Sequence, residues 1–315
     1  MEEYIYNRYA VYLKEHYGQK VYKLPVHIAV SCPNRKYNSY GCTYCGEKGA
    51  GLEQKSDAFS VEGQLKYNME YISKRYKAQK FIAYFQSFTN TYLPPEKFKN
   101  YMEQAVQQNI VEIAVSTRPD CIRKEYLDIL KSISEKNNIE ITIELGLQTA
   151  NYHSLEKINR GHTLAEYIES SLLIKQYGFH LCTHLILNLP WDNRTDVIES
   201  AKLISVLKSD YVKLHSLYIE KGTKMAEDYN NHLFEICSVE EYKERVKLFL
   251  EYIAPTVWIQ RLLGRAPEED TLFANWGKSW WKIRDEIEQE MIIENRYQGK
   301  NFHYLGGKCV KEFFL

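Results

Sequence analysis

Short apolar runs alternate with longer amphipathic segments along most of this chain. The apolar runs predict strands at residues 26–30, 80–86, 110–116, 140–147, 179–187 and 211–217. The amphipathic segments predict helices at residues 60–77, 94–108, 123–136, 163–177, 195–208 and 238–252. Strands that alternate with helices indicate a parallel sheet with right-handed crossovers. Six such units predict an α/β fold, a partial (β/α)6 TIM-type barrel that stays open.

The segments outside this alternation predict two additions to the barrel. Residues 1–25 are expected to form an N-terminal helical lead-in, 26–254 the barrel, and 255–315 a C-terminal extension. In that extension a strand and a helix are expected to cap the open side of the barrel. Within the barrel, Thr163 with Glu166 and Ser238 with Glu241 are expected to form capping boxes that start two of the helices.

Several predicted strands have one apolar face and one polar face. In the fourth strand Glu144, Gly146 and Gln148 alternate with apolar residues, and Lys213 and His215 do so in the sixth. A parallel strand that is buried on both faces should be apolar on both. We therefore expect helices to cover the apolar face and the polar face to line a lumen that holds polar ligands and water. Hydrogen bonds satisfied within a core are the alternative.

Three cysteines follow the first predicted strand in a loop rich in Gly, Asn, Ser and Pro. Cys32, Cys42 and Cys45 have the spacing C-x9-C-x2-C. A structural zinc ion takes four protein ligands, and a cubane iron–sulfur cluster is usually held by four cysteines. Three thiolates would leave one iron open to a ligand. A zinc knuckle completed by a histidine, or unconnected core cysteines, would also fit the spacing.

Composition narrows the cellular context. Seven cysteines among 315 residues, with a single C-x2-C pair, do not suggest a disulfide framework. The first residues lack the layout of a secretion signal, and no apolar run reaches membrane-spanning length, so we expect a cytoplasmic protein without a membrane partner. The 41 basic and 41 acidic residues balance, which argues against bulk electrostatic capture of nucleic acid but allows a local basic patch.

The cysteine loop and three later motifs resemble the radical S-adenosylmethionine (SAM) superfamily. Most members space the cysteines C-x3-C-x2-C with an aromatic residue before the last, and Tyr44 is that aromatic here. The longer first gap, the CPNR start, the GCTYCGEKGAG ending, FQSFTNTY and TRPD are similar to the YhcC/YtqA-type branch, which is related to the radical domain of the Elongator catalytic subunit.

The resemblance implies an enzyme with two cofactors, a [4Fe–4S] cluster and SAM. The cluster would be held by the catalytic metal ligands Cys32, Cys42 and Cys45. Reductive cleavage of SAM would give a 5′-deoxyadenosyl radical that abstracts hydrogen from the substrate. A reductant such as flavodoxin or ferredoxin is the implied electron donor.

The resemblance also implies a set of SAM-binding residues. Tyr44 would pack against the adenine, Gln148 would hydrogen-bond the ribose or the carboxylate, and Arg160, twelve residues later, would pair with the carboxylate. The loop after the second strand departs from the family's Gly-Gly-Glu segment, so that Gln86 or Ser87 could replace the glutamate. The full cofactor-binding set is Tyr44, Gln86, Ser87, Glu144, Gln148, Arg160 and His184.

The implied substrate is the wobble uridine in the anticodon loop of a tRNA. Its carboxymethylaminomethyl group on C5 would be converted to aminomethyl, with the candidate substrate residues Arg118, Lys213, His215 and Arg261. For Lys213 a buried ion pair is the alternative. Cys309 in the terminal tail is either a radical-quenching donor or a simple thiol. A radical enzyme acting on a small metabolite or peptide, an electron carrier, and a non-catalytic iron–sulfur RNA-binding module remain alternatives.

Overall fold

A curled parallel sheet forms the centre of the molecule. The computed structural model describes residues 4–37, 41–46, 60–265 and 270–303. Its strands are β1 (Val21–Val26), β2 (Lys80–Phe85), β3 (Ile110–Thr117), β4 (Glu140–Gln148), β5 (His180–Ile186), β6 (Tyr211–His215), β7 (Ile219–Glu220), β8 (Trp258–Arg261) and β9 (Thr271–Phe273). Seven of them pair in parallel in the order β1-β2-β3-β4-β5-β6-β8, and β7 pairs with β9 in a short antiparallel ribbon. The predicted partial barrel is confirmed, with a seventh strand from the C-terminal extension.

Eleven α-helices are described, and those that follow the barrel strands cover the outer face of the sheet. They are α1 (Tyr9–Tyr17), α2 (Pro33–Tyr37), α3 (Val61–Tyr76), α4 (Pro95–Gln104), α5 (Lys124–Asn137), α6 (Tyr152–Lys157), α7 (Leu164–Gln176), α8 (Arg194–Val206), α9 (Lys224–Asn230), α10 (Val239–Tyr252) and α11 (Trp280–Ile293). Among them, no helix of the described chain is both long and apolar enough to cross a bilayer.

The two predicted capping boxes have different outcomes. Thr163 and Glu166 form a complete box at the start of α7, as predicted. At the start of α10, Ser238 accepts a hydrogen bond from the Glu241 backbone N–H at 3.1 Å, but the Glu241 carboxylate pairs with Arg194 and Arg245 instead. The sequence pattern therefore marks both helix starts, while tertiary contacts redirect one of the two glutamates.

The first strand lies earlier than predicted. It spans Val21–Val26, so that all but its last residue lie in the predicted lead-in, and the predicted strand at residues 26–30 is wrong beyond Val26. Pro25 and two lysines near the start of the segment weaken the strand pattern in the sequence. Since β1 is an edge strand, Pro25 can lie in it without removing a ladder hydrogen bond that the sheet needs. Five residues of irregular chain then separate β1 from Cys32.

Helix α1 lies across the gap between the two edges of the sheet. It contacts both β1 and β8. The backbone N–H of Ile259 donates to the Asn7 carbonyl at 2.8 Å, and Lys23 reaches from β1 to the Gln260 side chain on β8 at 3.0 Å. These contacts close the N-terminal part of the barrel, so that its lumen is accessible from the carboxyl ends of the strands.

The two faces of the sheet differ as predicted. In β4, residues Ile141 to Leu147 place their apolar side chains in the main core beneath the outer helices. The opposite face encloses Tyr9, Tyr84 and Tyr211, which pack together as a floor within the lumen. Above this floor the inward-facing side chains are polar, and Glu144 and Lys213 are buried among them. The lumen therefore carries charged groups at a depth where solvent cannot neutralise them.

Candidate active site

The cysteine loop lies over the carboxyl ends of the strands. Cys32 precedes α2, and the Cys45 backbone N–H donates to the Cys42 carbonyl at 3.0 Å in a tight turn. The loop is fixed to its surroundings by two further bonds. Thr43 N–H donates to the Ile158 carbonyl at 3.0 Å, and the Asn159 amide donates to the Gly41 carbonyl at 2.6 Å. In TIM-type barrels this end carries the active site.

Each cysteine sulfur of the loop contacts a different arginine. The guanidinium nitrogen of Arg118 lies 3.9 Å from Cys32 Sγ, that of Arg160 lies 3.6 Å from Cys42 Sγ, and that of Arg35 lies 3.5 Å from Cys45 Sγ. All three cysteines are free thiols.

This arrangement suits a ligand that carries negative charge. Burial raises the pKa of the Cys45 thiol, and neighbouring Cys42 raises it further, while Arg35 opposes both effects. Three thiolates around a cubane cluster form an anionic group, which a ring of arginines would neutralise. The donor set therefore fits a three-cysteine iron–sulfur cluster.

Asn34 and Arg35 are functional candidates to which sequence reasoning assigns no contact with the cysteines. The Asn34 amide donates to the Asn159 carbonyl at 2.6 Å and lies 3.5 Å from Cys42 Sγ. Arg35 also donates to the carbonyl oxygens of Cys45, at 3.2 Å, and of Gly46. The available sequence signal is their place directly after Cys32 and Pro33, in the CPNR segment.

Gly161 allows the loop after α6 to approach the cysteine loop. Its φ angle is +72°, and a Cβ atom there would lie 2.5 Å from Asn34 Oδ1 and 3.3 Å from an Arg118 guanidinium nitrogen. Both the backbone conformation and the close approach require glycine. The segment Asn159 to His162 therefore packs closely against the cysteine loop.

Arg118 lies at the cysteine loop, apart from the other predicted substrate residues. It is buried and forms a bidentate pair with Asp120, with distances of 2.9 and 3.0 Å. This pair holds the guanidinium beside Cys32. The TRPD motif thus brings its arginine to the sulfur ligands, and a contact of Arg118 with substrate stays a prediction.

Gln148 and Arg160, predicted to contact SAM, meet above Gly146. A Cβ atom on Gly146 would lie 2.7 Å from Gln148 Nε2 and 2.8 Å from Arg160 Nη2. Gln148 reaches this position through a bulge at the end of β4, where its φ angle is +79°. Arg160 donates to the Gly146 carbonyl at 2.8 Å, and its Nε atom is buried without a hydrogen-bond partner. Both side chains therefore offer polar groups at the mouth of the lumen.

The remaining residues predicted to bind SAM surround the same end of the barrel. Ser87 is buried and its hydroxyl lies 2.8 Å from His27 Nδ1, so that its side chain orients the loop after β2. Gln86 precedes it and is half-buried. The Tyr44 ring packs against a smaller apolar cluster that includes Ile158 and Leu217.

Glu144 is the centre of an ion-pair network inside the lumen. Its two oxygens accept from Lys23 at 2.5 Å and from Lys213 at 2.7 Å, and His184 Nε2 lies 2.8 Å away. Burial alone would raise the pKa of this carboxyl, but Lys213, Lys23 and His184 hold it well below its usual range. Lys213 therefore forms a buried ion pair with Glu144, which was the alternative to a contact with substrate. Because both oxygens of Glu144 are engaged, its predicted contact with SAM would compete with these partners.

A second metal site does not fit this network. The ligand atoms of Glu144, Cys182 and His184 lie within 4.8 Å of one another. The carboxylate, however, already bonds two ammonium groups, which would repel a cation. His180, on the same strand as Cys182 and His184, instead lies near Glu140 at the other end of the barrel, 3.6 Å away.

Two neutral histidines connect Glu144 to Arg261. His184 Nδ1 lies 3.3 Å from His215 Nε2, and Arg261 donates to His215 Nδ1 at 2.8 Å. Burial and then Lys213 lower the pKa of His184 to about 4. Burial and then Arg261 lower the pKa of His215 well below its usual range. Both imidazoles are therefore uncharged near pH 7, and three of the four predicted substrate residues, Lys213, His215 and Arg261, lie together.

Comparison with protein families gives two matches that together cover most of the chain. The family model described as the Radical SAM superfamily matches residues 28–204. The family model described as the Radical_SAM C-terminal domain matches residues 209–292.

Whole-length relatives share about a third of the sequence. The uncharacterized protein MJ0486 of Methanocaldococcus jannaschii is 34% identical over 305 residues, which cover 96% of this chain and 94% of that protein. The uncharacterized protein YtqA of Bacillus subtilis is 32% identical over 306 residues, covering 95% and 94%. The predicted similarity to the YhcC/YtqA-type branch is thereby confirmed.

Two more distant matches cover part of a longer protein. A tRNA uridine(34) acetyltransferase of Methanocaldococcus jannaschii is 26% identical over 217 residues, covering 67% of this chain and 36% of that protein. The solved structure of an archaeal Elp3 from Methanocaldococcus infernus, with an N-terminal deletion, matches with a TM-score of 0.69 at 17% identity. That match covers 88% of this chain and 64% of the Elp3 chain, and it shows a shared fold.

Proposed function

The chain belongs to the radical SAM superfamily, and from that premise we propose that it modifies the wobble uridine of tRNA by converting a carboxymethylaminomethyl group on C5 to aminomethyl. The cofactors of the superfamily are a [4Fe–4S] cluster and SAM. When bound, they supply the abstraction of a hydrogen atom from substrate. The protein supplies ligands, orientation and a site from which water is excluded.

The residues around the cysteine loop have separate roles in this proposal. Cys32, Cys42 and Cys45 hold the cluster, and the arginines beside their sulfurs balance its negative charge. Gln148 and Arg160 hold the polar groups of SAM, because both already converge on Gly146 next to Cys42. The lumen beneath then receives the substrate side chain.

The main support for a substrate that carries a carboxylate is the positive charge of the lumen near the predicted SAM site. Lys23, Lys213 and Arg261 face a single ionised carboxylate there, that of Glu144. A carboxymethylaminomethyl group carries a carboxylate, and the aminomethyl product does not. The methylene between its amine and carboxylate is the proposed site of hydrogen abstraction, and it would enter the lumen ahead of the uridine ring. Loss of a second electron to an acceptor such as oxidised flavodoxin or ferredoxin would give an imine, and water would hydrolyse this imine to the aminomethyl group and glyoxylate.

Relationship to a tRNA enzyme and the exposed face of α3 support a tRNA substrate. The distant relative named tRNA uridine(34) acetyltransferase acts, by its name, on the same nucleotide position. On α3, Tyr67 and Tyr71 are 54% and 50% exposed, and Arg75 donates to the Tyr71 hydroxyl at 2.8 Å. Exposed aromatic rings with adjacent cations are the groups on which unpaired bases stack.

Two experiments test the proposal. Anaerobic reconstitution with iron, sulfide, SAM and a reductant such as flavodoxin or ferredoxin should yield 5′-deoxyadenosine. An electron carrier or a non-catalytic module would yield none. Mass spectrometry of tRNA nucleosides from a strain that lacks the gene should then show carboxymethylaminomethyluridine accumulating. An unchanged nucleoside profile, with SAM cleavage intact, would instead favour a small metabolite or peptide as substrate.

A further inference from the structure

Only some of the cations in the lumen pair with the ionised carboxylate of Glu144. Lys23 and Lys213 each donate to a different oxygen of Glu144, at 2.5 and 2.7 Å. Glu112, another carboxylate on the inner face, is oriented towards Tyr17 at the N-terminal end of the barrel, 3.4 Å away. The lumen cations Lys23, Lys213 and Arg261 therefore lie near one shared carboxylate, that of Glu144.

Arg261 has no carboxylate partner in residues 4–37, 41–46, 60–265 and 270–303. Its recorded side-chain hydrogen bonds run from Nη2 to the ring of His215, at 2.8 Å to Nδ1 and 3.4 Å to Nε2. That imidazole is neutral, so it accepts a hydrogen bond but offsets no charge. Arg261 is exposed to solvent, so its guanidinium is accessible to an anionic group that enters the lumen.

The backbone near Arg261 keeps its guanidinium in one orientation. A Cβ atom on Gly264 would lie between 3.0 and 3.2 Å from the guanidinium carbon and both terminal nitrogens. The group therefore lies against the Gly264 backbone on one side while Nη2 contacts His215. Its Nε and Nη1 atoms have no hydrogen-bond partner in the described chain. Nη2 has a second N–H, which together with the N–H of Nε or of Nη1 presents two parallel donors to a carboxylate.

We propose that Arg261 is the receptor for the carboxylate of the substrate side chain, with His215 fixing its orientation. This inference rests on the proposed function and adds the residue that distinguishes substrate from product. The bidentate pair forms with carboxymethylaminomethyluridine and is absent with aminomethyluridine, so that loss of the carboxylate favours release of the product.

SAM also carries a carboxylate, and the two sources can be separated. The methionyl end of SAM is expected at the cluster, where Arg160 lies 3.6 Å from Cys42 Sγ. The contacts of Arg261 are instead with His215, which leads through His184 to Glu144 in the lumen. The position of Arg261 therefore favours the substrate as the source.

The test compares two tRNAs that differ by one carboxylate. Holoenzyme with bound SAM and no reductant is titrated with tRNA that carries either carboxymethylaminomethyluridine or aminomethyluridine at the wobble position. We expect the wild type to prefer the former by about tenfold, which is typical of a charge-assisted bidentate pair. Arg261→Gln should remove the preference by weakening the binding of the carboxylated tRNA alone.

Two further variants control for charge and folding. Arg194→Gln removes an arginine on the outer helix α8, whose partner is Glu241 at 2.7 Å, and should keep the full preference. Arg261→Lys keeps the charge but loses the planar pair of donors, so the preference should fall to an intermediate value. It also provides the measurement if Arg261→Gln does not fold.

The outcomes separate this inference from the proposed function. If Arg261→Gln keeps the wild-type preference, Arg261 is not the receptor. If that variant weakens the binding of SAM but not of decarboxylated SAM, the carboxylate belongs to SAM and the inference is overturned. A wild type that converts one tRNA into the other without preferring either overturns the inference alone. A wild type that neither prefers nor converts overturns both.

Discussion

His180 and His184 lie four residues apart on β5, yet their pKa values move in opposite directions. Burial lowers the pKa of both, but Asp210 and Glu140 raise the pKa of His180 to about 9. At His184, burial and Lys213 lower the pKa to about 4 in spite of Glu144. His180 lies at the N-terminal end of the barrel and His184 faces the upper lumen. The difference shows that a histidine at the N-terminal end has acidic neighbours, whereas a histidine in the upper lumen lies beside a cation.

The charges at the N-terminal end are paired within the fold. Glu140 accepts from His16 and Tyr17, each at 2.7 Å, which fixes α1 against β4. Asp210 pairs with Lys175 at 2.6 Å and accepts from the Leu181 backbone at 2.7 Å. A cavity of about 570 Å³ opens at this end, lined in part by His16, Glu140 and His180. Because His16, Glu140 and His180 already have partners within the fold, we interpret this end as structural.

The carboxyl end of the barrel has the opposite organisation. Its arginines contact free thiols, and its lumen holds more cations than carboxylates among the described residues. Such an arrangement is incomplete without anionic ligands. Charge balance, rather than the volume of a cavity, therefore distinguishes the end that binds ligands from the end that holds the fold together.

The largest expected effect is on the cluster at the carboxyl end. Cys42→Ala should abolish bound iron and the visible absorption of the cluster, because two cysteines cannot hold a cubane with one open iron. The urea midpoint of the apoprotein should stay near that of the wild type. Cys237→Ala, which changes a half-buried free cysteine outside the loop, is the matched control and should retain iron. Full absorption in Cys42→Ala would show that the ligand assignment is wrong.

The next effect compares one glutamate from each end of β4. Glu144→Gln leaves the buried Lys213 and the half-buried Lys23 without a counter-charge and should lower the free energy of unfolding by about 3 to 5 kcal/mol. Glu140→Gln changes a side chain that is 34% exposed, so solvent screens the loss and about 1 kcal/mol is expected. Anaerobic urea unfolding measures both. Equal losses would contradict the distinction between the two ends.

The smallest effect is the pH dependence of stability. The pKa of His180 in the folded state, about 9, exceeds the ordinary 6.5, so its contribution is complete below pH 6.5 and is lost as pH rises through 9. The pKa of His184 is lowered to about 4, so its contribution is present above pH 6.5 and is lost as pH falls towards 4. With solvent screening at His180, we expect about 1 to 2 kcal/mol from it.

Replacement of each histidine separates the two pH effects. Urea unfolding across this pH range should lose its alkaline decline in His180→Asn and its acidic decline in His184→Asn. Titration of the imidazole resonances by NMR provides the direct check on the two pKa values. Histidines that titrate together near pH 6.5 would show that the two ends do not differ in charge.

Much of the architecture and chemistry follows from the sequence because it depends on local patterns. Alternating apolar runs and amphipathic segments specify the parallel sheet and its outer helices, and polar residues at every second position of β4 specify the lumen. The loop of Cys32, Cys42 and Cys45 identifies the family and its cofactors, which the family comparison confirms. Cys309 lies outside the described part of the chain, so a radical role for this cysteine stays a prediction.

Only the tertiary structure decided which distant groups share a site. Pro25 weakened the strand pattern of β1, since the sequence does not reveal that β1 is an edge strand. Lys23, which the sequence offers only as part of a possible basic patch, reaches Glu144 because the sheet curls and brings β1 opposite β4. The partners of His180 and His184 likewise come from other elements of the barrel. A sequence determines which groups a strand carries, but the curvature of the sheet determines which charges they meet.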